Sequence, residues 1–226
     1  MEEEILNIQT PVAFDESIAH YEIHAHKPYS SSTFNNSDEI RITVQHQDLC
    51  LLPSKSSIHV SGRLTKADGS LATTVLVNNA ICHLFEEIRY EINAIEIDRN
   101  KNVGLTSLMK GYASLTPGQN SLLENAGWLD VEETRKLTDV NGYFDVCIPL
   151  NMILGFAEDY RKIIVNAKHE LILTRAKSDM NAVLVVTDKE EFKITIDKIE
   201  WLMPYVKLSD QRKMGLLSYI EKDPSI

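Results

Sequence analysis

Two short stretches hold the residues best suited to chemistry. "FEEIRYEINAIEIDRNKN", Phe85 to Asn102, sets the carboxylates Glu86, Glu87, Glu91, Glu96 and Asp98 among Ile88, Tyr90, Ile92, Ile95 and Ile97. Carboxylates this close can share a proton or hold a metal ion, as acid–base and metal catalysis require. "HYEIHAH" places His20, His24 and His26 together, and in a strand His24 and His26 project from one face, where two imidazoles could ligate zinc. Zinc needs a third protein ligand, and the acidic stretch has no histidine or ligand cluster beside it. The simpler reading makes the acids the solvated face of a half-buried strand pair, softened by Arg89. On the same reading the histidines are exposed on an edge strand.

The remaining candidates are weaker. Glu132-Glu133, Asp188 and Glu190-Glu191 adjoin expected turns and read as solvated charge. His46, His59, His83 and His169 are scattered over separate segments, whereas a cupin-type enzyme would need them inside one barrel. Trp128 and Trp201 could stack on a ligand, but their apolar surroundings favour packing. Cys50, Cys82 and Cys147 form no CxxC pair and are odd in number, which suits small core residues in a reducing compartment. Asn35-Asn36-Ser37 fits the glycosylation pattern by chance in a chain with no expected secretory route. Phosphate-loop, dinucleotide, zincin and nucleophile-elbow motifs are all absent from the sequence. The expectation is therefore no catalytic residues, no cofactor and no metal.

The elements that must position these residues are mainly strands. Ile40, Ile42 and Val44 alternate with Arg41, Thr43 and Gln45, and Ile58, Val60 and Leu64 alternate with His59, Ser61 and Arg63. In the acidic stretch Ile88, Tyr90 and Ile92 oppose Glu87, Arg89 and Glu91, and Ile95 and Ile97 oppose Glu96 and Asp98. Asn93-Ala94 between the two runs predicts a two-residue hairpin. A type I′ turn prefers Gly where Ala94 stands, so either the turn is of another type or it costs on the order of 1 kcal/mol. "NVGLTSLMKGYASL" has helical spacing at Val103, Leu105, Leu108, Met109 and Tyr112, and a short helix opens at Thr116-Pro117 and closes at Gly127. Strands resume at "NGYFDVCIPL", "HELILTR" and "FKITIDKIEWLMPYV". In the last, Ile194 and Ile196 are out of phase with Ile199, Trp201 and Met203, which predicts a bulge near Lys198 carrying the strand from one sheet to another. A capped helix follows Ser209. Strands separated by loops, with helices as insertions, predict an all-β, antiparallel jelly-roll sandwich with short helical insertions.

The 226 residues carry 23 Lys+Arg against 33 Asp+Glu, a formal charge of −10. That disfavours sequence-independent binding to nucleic acid, which needs a basic surface. No apolar run approaches the roughly 18 residues of a membrane span, and "MEEEILNIQT" is acidic and unlike a secretory signal. An intracellular location is expected.

The succession "NNSDEIRITVQHQDLCLLPSKSSIHVSGRL", "VNNAICHLFEEIRYEINAIEIDRNKNVGLTSLMKGYASLTPGQNSLLENAGW", "GYFDVCIPLNMILGFAEDYRKIIVNAKHELILTRAKSDMNA" and "KIEWLMPYV" resembles the double jelly-roll-like domain proteins. These in turn are similar to the major capsid proteins of Polinton-type elements and adintovirus-like viruses. The likeness runs from about Asn35 to Tyr205. It implies a capsid-type building block without a catalytic set, self-associating as a homotrimer whose two rolls per subunit give a pseudo-hexagonal capsomer, and found in the virion if viral. Family members carry a second roll after the segment matching "WLMPYV" and tend to have Gly where Ala94 stands. The expected organisation is an extended N-terminal arm over 1–38, the first jelly roll over 39–206 and a helical connector towards a second roll over 207–226. A jelly-roll carbohydrate-binding module is the rival reading; it would need an exposed aromatic platform or a calcium site.

Overall fold

The computed structural model describes residues 17–29, 33–46, 50–129, 137–186 and 190–222. Its strands are β1 (Ile18–His26), β2 (Glu39–Gln45), β3 (Cys50–Leu51), β4 (Ser57–Lys66), β5 (Val75–Leu76), β6 (Phe85–Ile92), β7 (Ile95–Lys101), β8 (Tyr143–Pro149), β9 (Lys168–Arg175), β10 (Val183–Leu184) and β11 (Phe192–Leu208). Its helices are α1 (Ala80–His83), α2 (Val103–Ser114), α3 (Pro117–Asn120), α4 (Leu150–Ile153), α5 (Gly155–Asp159) and α6 (Asp210–Lys222).

One main sheet has the order β1-β11-β4-β8, with β3 also on β11, the other has the order β2-β9-β6-β7, and β5 and β10 pair as a separate two-stranded sheet. Every pairing is antiparallel. The chain passes back and forth between the two sheets, which is the jelly-roll path. Period-two alternation explains the core. Ile40, Ile42, Val44, Ile88, Tyr90, Leu171 and Leu173 of one sheet meet Ile58, Val60, Phe144, Val146, Ile148, Ile199, Trp201 and Met203 of the other, all buried.

β1 does more than the expected arm: it pairs with β11 from Ile18↔Leu208 to His26↔Trp201. The expected bulge is present, since the β4–β11 register shifts between Ile196 and Lys198. It does not move the strand to the other sheet. Both halves of β11 stay on β4, and the extra residue only re-phases the side chains so that Ile196 and Ile199 both face inward.

The hairpin also differs in one half. β6 turns at Asn93-Ala94 into β7, with φ of 51° and 64° at those residues, the left-handed pair of a type I′ turn. Asn93 is pinned, its backbone N–H donating to Lys168 O (2.8 Å) and its Oδ1 accepting from Lys168 N (2.9 Å). A register shift between Tyr90 and Glu91 leaves Ile97 unpaired and inverts the expected phase from Asp98 onward. Ile95 and Ile97 are exposed on this edge strand, and Asp98 turns inward to accept from Phe156 N at 2.8 Å.

Candidate assembly surface

The acids of β6 and β7 do not converge on a site. Register sets them in rows across the outer face of their sheet. Glu170, Glu91 and Glu96 form one row; Arg41, Ile172, Arg89 and Arg99 the next; Thr174, Glu87 and Lys101 a third. Ion pairs along the strands join neighbouring rows, Arg89–Glu91 at 2.9 Å, Arg89–Glu87 at 3.9 Å and Arg99 with Glu96, and Arg99–Glu87 at 3.8 Å crosses diagonally from β7 to β6; Lys168–Glu170 at 3.2 Å adds a pair within β9. Glu87 and Arg89 are half-buried in this lattice, so the solvated face of the sequence reading is an ion-paired one. Such pairing offsets the repulsion among Glu170, Glu91 and Glu96, which stand directly opposite one another in their row.

The histidines separate in the same way. His20 and His24 flank Glu22 at 3.3 and 2.8 Å on the exposed edge strand, and His26 Nε2 lies 2.9 Å from the Tyr205 hydroxyl. His46 meets the Tyr205 ring edge-on. His59 holds Asp145 at 2.7 Å and Glu200 at 3.4 Å, so both its ring nitrogens are engaged by carboxylates. His169 is buried between the sheets beside Tyr90, and His83 lies against α2 at Gly104. Among the described residues no three His, Cys, Asp or Glu side chains are placed to hold a metal ion. Trp128 and Trp201 are core residues, and Trp201 donates from Nε1 to Ser56 Oγ at 3.1 Å. Cys50 and Cys82 are buried, and burial pushes the Cys82 thiol up to about 12.

Glu190 departs from the solvated reading. It accepts from Thr73 N (2.8 Å), Thr74 N (3.0 Å) and both threonine hydroxyls, and those bonds, led by the one from the Thr73 hydroxyl, draw its carboxyl down to about 2. It is a loop staple. Glu132, Glu133 and Asp188 lie outside the described residues.

The surface feature with no internal explanation is α2. Its buried residues are Val103, Gly104, Ser107 and Gly111, so the helix meets the sandwich through small side chains. A Cβ at Gly111 would sit 2.1 Å from Trp128 Cη2, and one at Gly104 2.2 Å from His83 Nδ1. Asn79 Nδ2 donates to Ser107 Oγ at 2.7 Å across the same seam. The opposite face is apolar and wet: Leu105, Met109 and Tyr112, at i, i+4 and i+7, are 57, 65 and 61% exposed, Tyr112 also meeting the Trp128 ring at 5.2 Å and accepting from Asn78 Nδ2 at 3.2 Å. Leu122, exposed in the turn after α3, is a further apolar residue of the same segment. The usual amphipathic order, apolar in and polar out, is reversed. Sequence spacing identified the helix and its apolar residues but not which face would be buried, because glycines carry no hydrophobic signal.

α6 adds Met214 and Tyr219, both exposed, whereas Trp201 and Met203 in the strand before it belong to the core. Among the described residues no helix is long and apolar enough to cross a membrane.

A five-stranded and a four-stranded antiparallel layer in jelly-roll order, with helical insertions between strands, define a jelly roll. The sequence from 74 to 226 matches the family model described as the double jelly roll-like domain. The chain belongs to that family. No curated protein matches the sequence. Among solved structures it resembles the major capsid protein of mavirus (TM-score 0.55, 13% identity, 89% of this chain and 49% of that one). The Sputnik virophage structure gives 0.53, 9%, 91% and 51%, and the Faustovirus major capsid protein 0.51, 9%, 94% and 58%. At these identities the likeness is one of fold, and the chain spans about half the length of the structures it matches.

Proposed function

We propose that this chain is a structural building block that self-associates through capsid-type contacts, as one roll of a double jelly roll. The observation that carries the proposal is the reversed helix α2, which turns Leu105, Met109 and Tyr112 to solvent while spending glycines on its inner face. An apolar stripe along one helix face supports a contact with another protein. A homotrimer, an origin in a Polinton-type element or virus, and a place in the virion all follow from family resemblance. On this reading the roll spans residues 39–206, with β1 of the preceding arm added to its sheet and α6 leading towards a partner roll. The acidity fits a shell that does not grip nucleic acid, and the ion-paired carboxylates fit a molecule without catalysis.

Sedimentation velocity tests the proposal. The full chain should form oligomers whose fraction rises with concentration, and Leu105→Lys with Met109→Lys should shift the midpoint at least tenfold upward while leaving the melting temperature within a few degrees. A strictly monomeric chain at high concentration, or oligomers indifferent to the double substitution, would remove α2 from any assembly contact.

A further inference from the structure

β11 is 17 residues long, but its two sides are not equally covered. β4 pairs with it from Phe192 to Leu202 on one side. On the other, β1 covers only Trp201 to Leu208. After His26 the chain reaches Lys27-Pro28, where proline has no N–H to continue a ladder, and it leaves the edge. The lower half of β11 is left open.

Peptide groups alternate along a strand, and here the phase is fixed. Leu64 N bonds to Gly142 O on the β8 side, while Ala67 N bonds to Glu191 O, so the odd residues 191, 193 and 195 direct their polar groups to β4. Phe192, Ile194 and Ile196 therefore aim their N–H and C=O groups outward, and among the described residues no backbone hydrogen bond reaches them there.

This edge forms one wall of a slot of about 840 Å³ whose facing wall includes Phe34, Asn36, Asp179 and Met180. The facing wall is held in place. Arg175, 1% exposed, donates to Leu84 O (2.6 Å), Phe34 O (3.4 Å) and both Asp179 oxygens (2.9 and 3.2 Å). Asn36 Nδ2 donates to Ala176 O and Asp179 Oδ1. An unpaired strand edge opposite a fixed wall is a place for an added strand, as in β-augmentation.

We infer that the slot beside Phe192–Ile196 accepts an extended peptide segment of a partner protein, alternating apolar and cationic residues. Alternation follows from the two faces of the edge: the half-buried Phe34 and Phe192 offer an apolar surface inward, and the exposed Glu191 and Asp197 lie on the outer face with Lys193 between them. Cationic character follows from charge, since a second copy of a chain of net charge −10 would bring like charge to this edge. This inference does not depend on self-association through α2.

The test uses the full chain and a fluorescein-labelled acetyl-(Val-Lys)₃-amide peptide, read by anisotropy and by amide hydrogen exchange. The expected result is saturable binding that protects the amides of Phe192, Ile194 and Ile196. Methylating the alternate peptide nitrogens that face β11 should weaken it at least tenfold. Glu191→Lys with Asp197→Lys, both on exposed positions, should weaken it similarly. The N-methyl comparison uses the unaltered protein and so stands even if that variant fails to fold. Absence of binding at millimolar peptide, or binding unaffected by N-methylation and therefore due to charge alone, would overturn the inference. Protection of the same amides without peptide, growing with protein concentration, would also overturn it, because the occupant would then be a second copy.

Discussion

Ala94 occupies a backbone region in which an L side chain crowds the following carbonyl oxygen, at a cost of about 1–2 kcal/mol. It is held there because Asn93 is locked to Lys168 and the two-residue turn fixes the register of β6 on β7. Ala94→Gly would restore the Asn-Gly dipeptide that this turn prefers. The gain is partly offset by the greater freedom of glycine in the unfolded chain, about 0.4–1 kcal/mol. The net expectation is a small stabilisation, a rise of roughly 1–3 °C in the melting temperature by calorimetry. A fall would mean that the turn has negative φ at this position. The dipeptide announced the turn and its strain; the inward turn of Asp98 was not legible, because the unpaired Ile97 reverses the side chains after it and no composition marks it, while Ile95 is exposed because it lies beside the turn on the edge strand.

Among the elements, strands with a buried face were readable from alternation alone, since period two and burial are the same fact seen in sequence and in space. β1 was readable as a strand but not as a sheet member, because neither of its faces is buried and only β11's length gives it a partner. α2 was readable as a helix and misleading as an amphipath. Its glycines are where the contact lies: Trp128 rests on Gly111 so closely that any side chain there must displace it. Gly111→Val should therefore destabilise by about 1–3 kcal/mol through overpacking. That outweighs the small propensity gain of Val over Gly, a few tenths of a kcal/mol. The melting temperature should fall by several degrees, and tryptophan emission should shift to the red as the Trp128 ring is pushed from its seat. A variant as stable as the parent, with unshifted emission, would show that α2 does not lie against Trp128.

At the scale of the whole molecule, the sandwich encloses a titratable group that an apolar core would not need. His169 is fully buried between the sheets, and its Nδ1 lies 2.6 Å from the Tyr90 hydroxyl while Nε2 has no partner. Burial lowers its pKa to about 4 from the usual 6.5, so the folded protein holds it neutral where the unfolded chain protonates it. Protons then favour the unfolded state, and stability should be lost as pH falls from about 6.5 to about 4, by on the order of 3 kcal/mol. Glu190 acts in a lower window. Its carboxyl, drawn down to about 2, contributes stability that is present above about 4.5 and disappears only as pH falls towards 2. Urea midpoints measured from pH 7 to pH 3 should therefore decline first through the His169 window. In His169→Asn, which keeps an acceptor for Tyr90 but cannot titrate, the midpoint should fall much less between pH 6.5 and 4.5, the remaining slope coming from His26 and His83, whose burial also lowers their pKa. A wild-type profile already flat across pH 6.5 to 4.5, or an Asn variant that declines in parallel with it, would place the acid sensitivity of the roll elsewhere than between its two sheets.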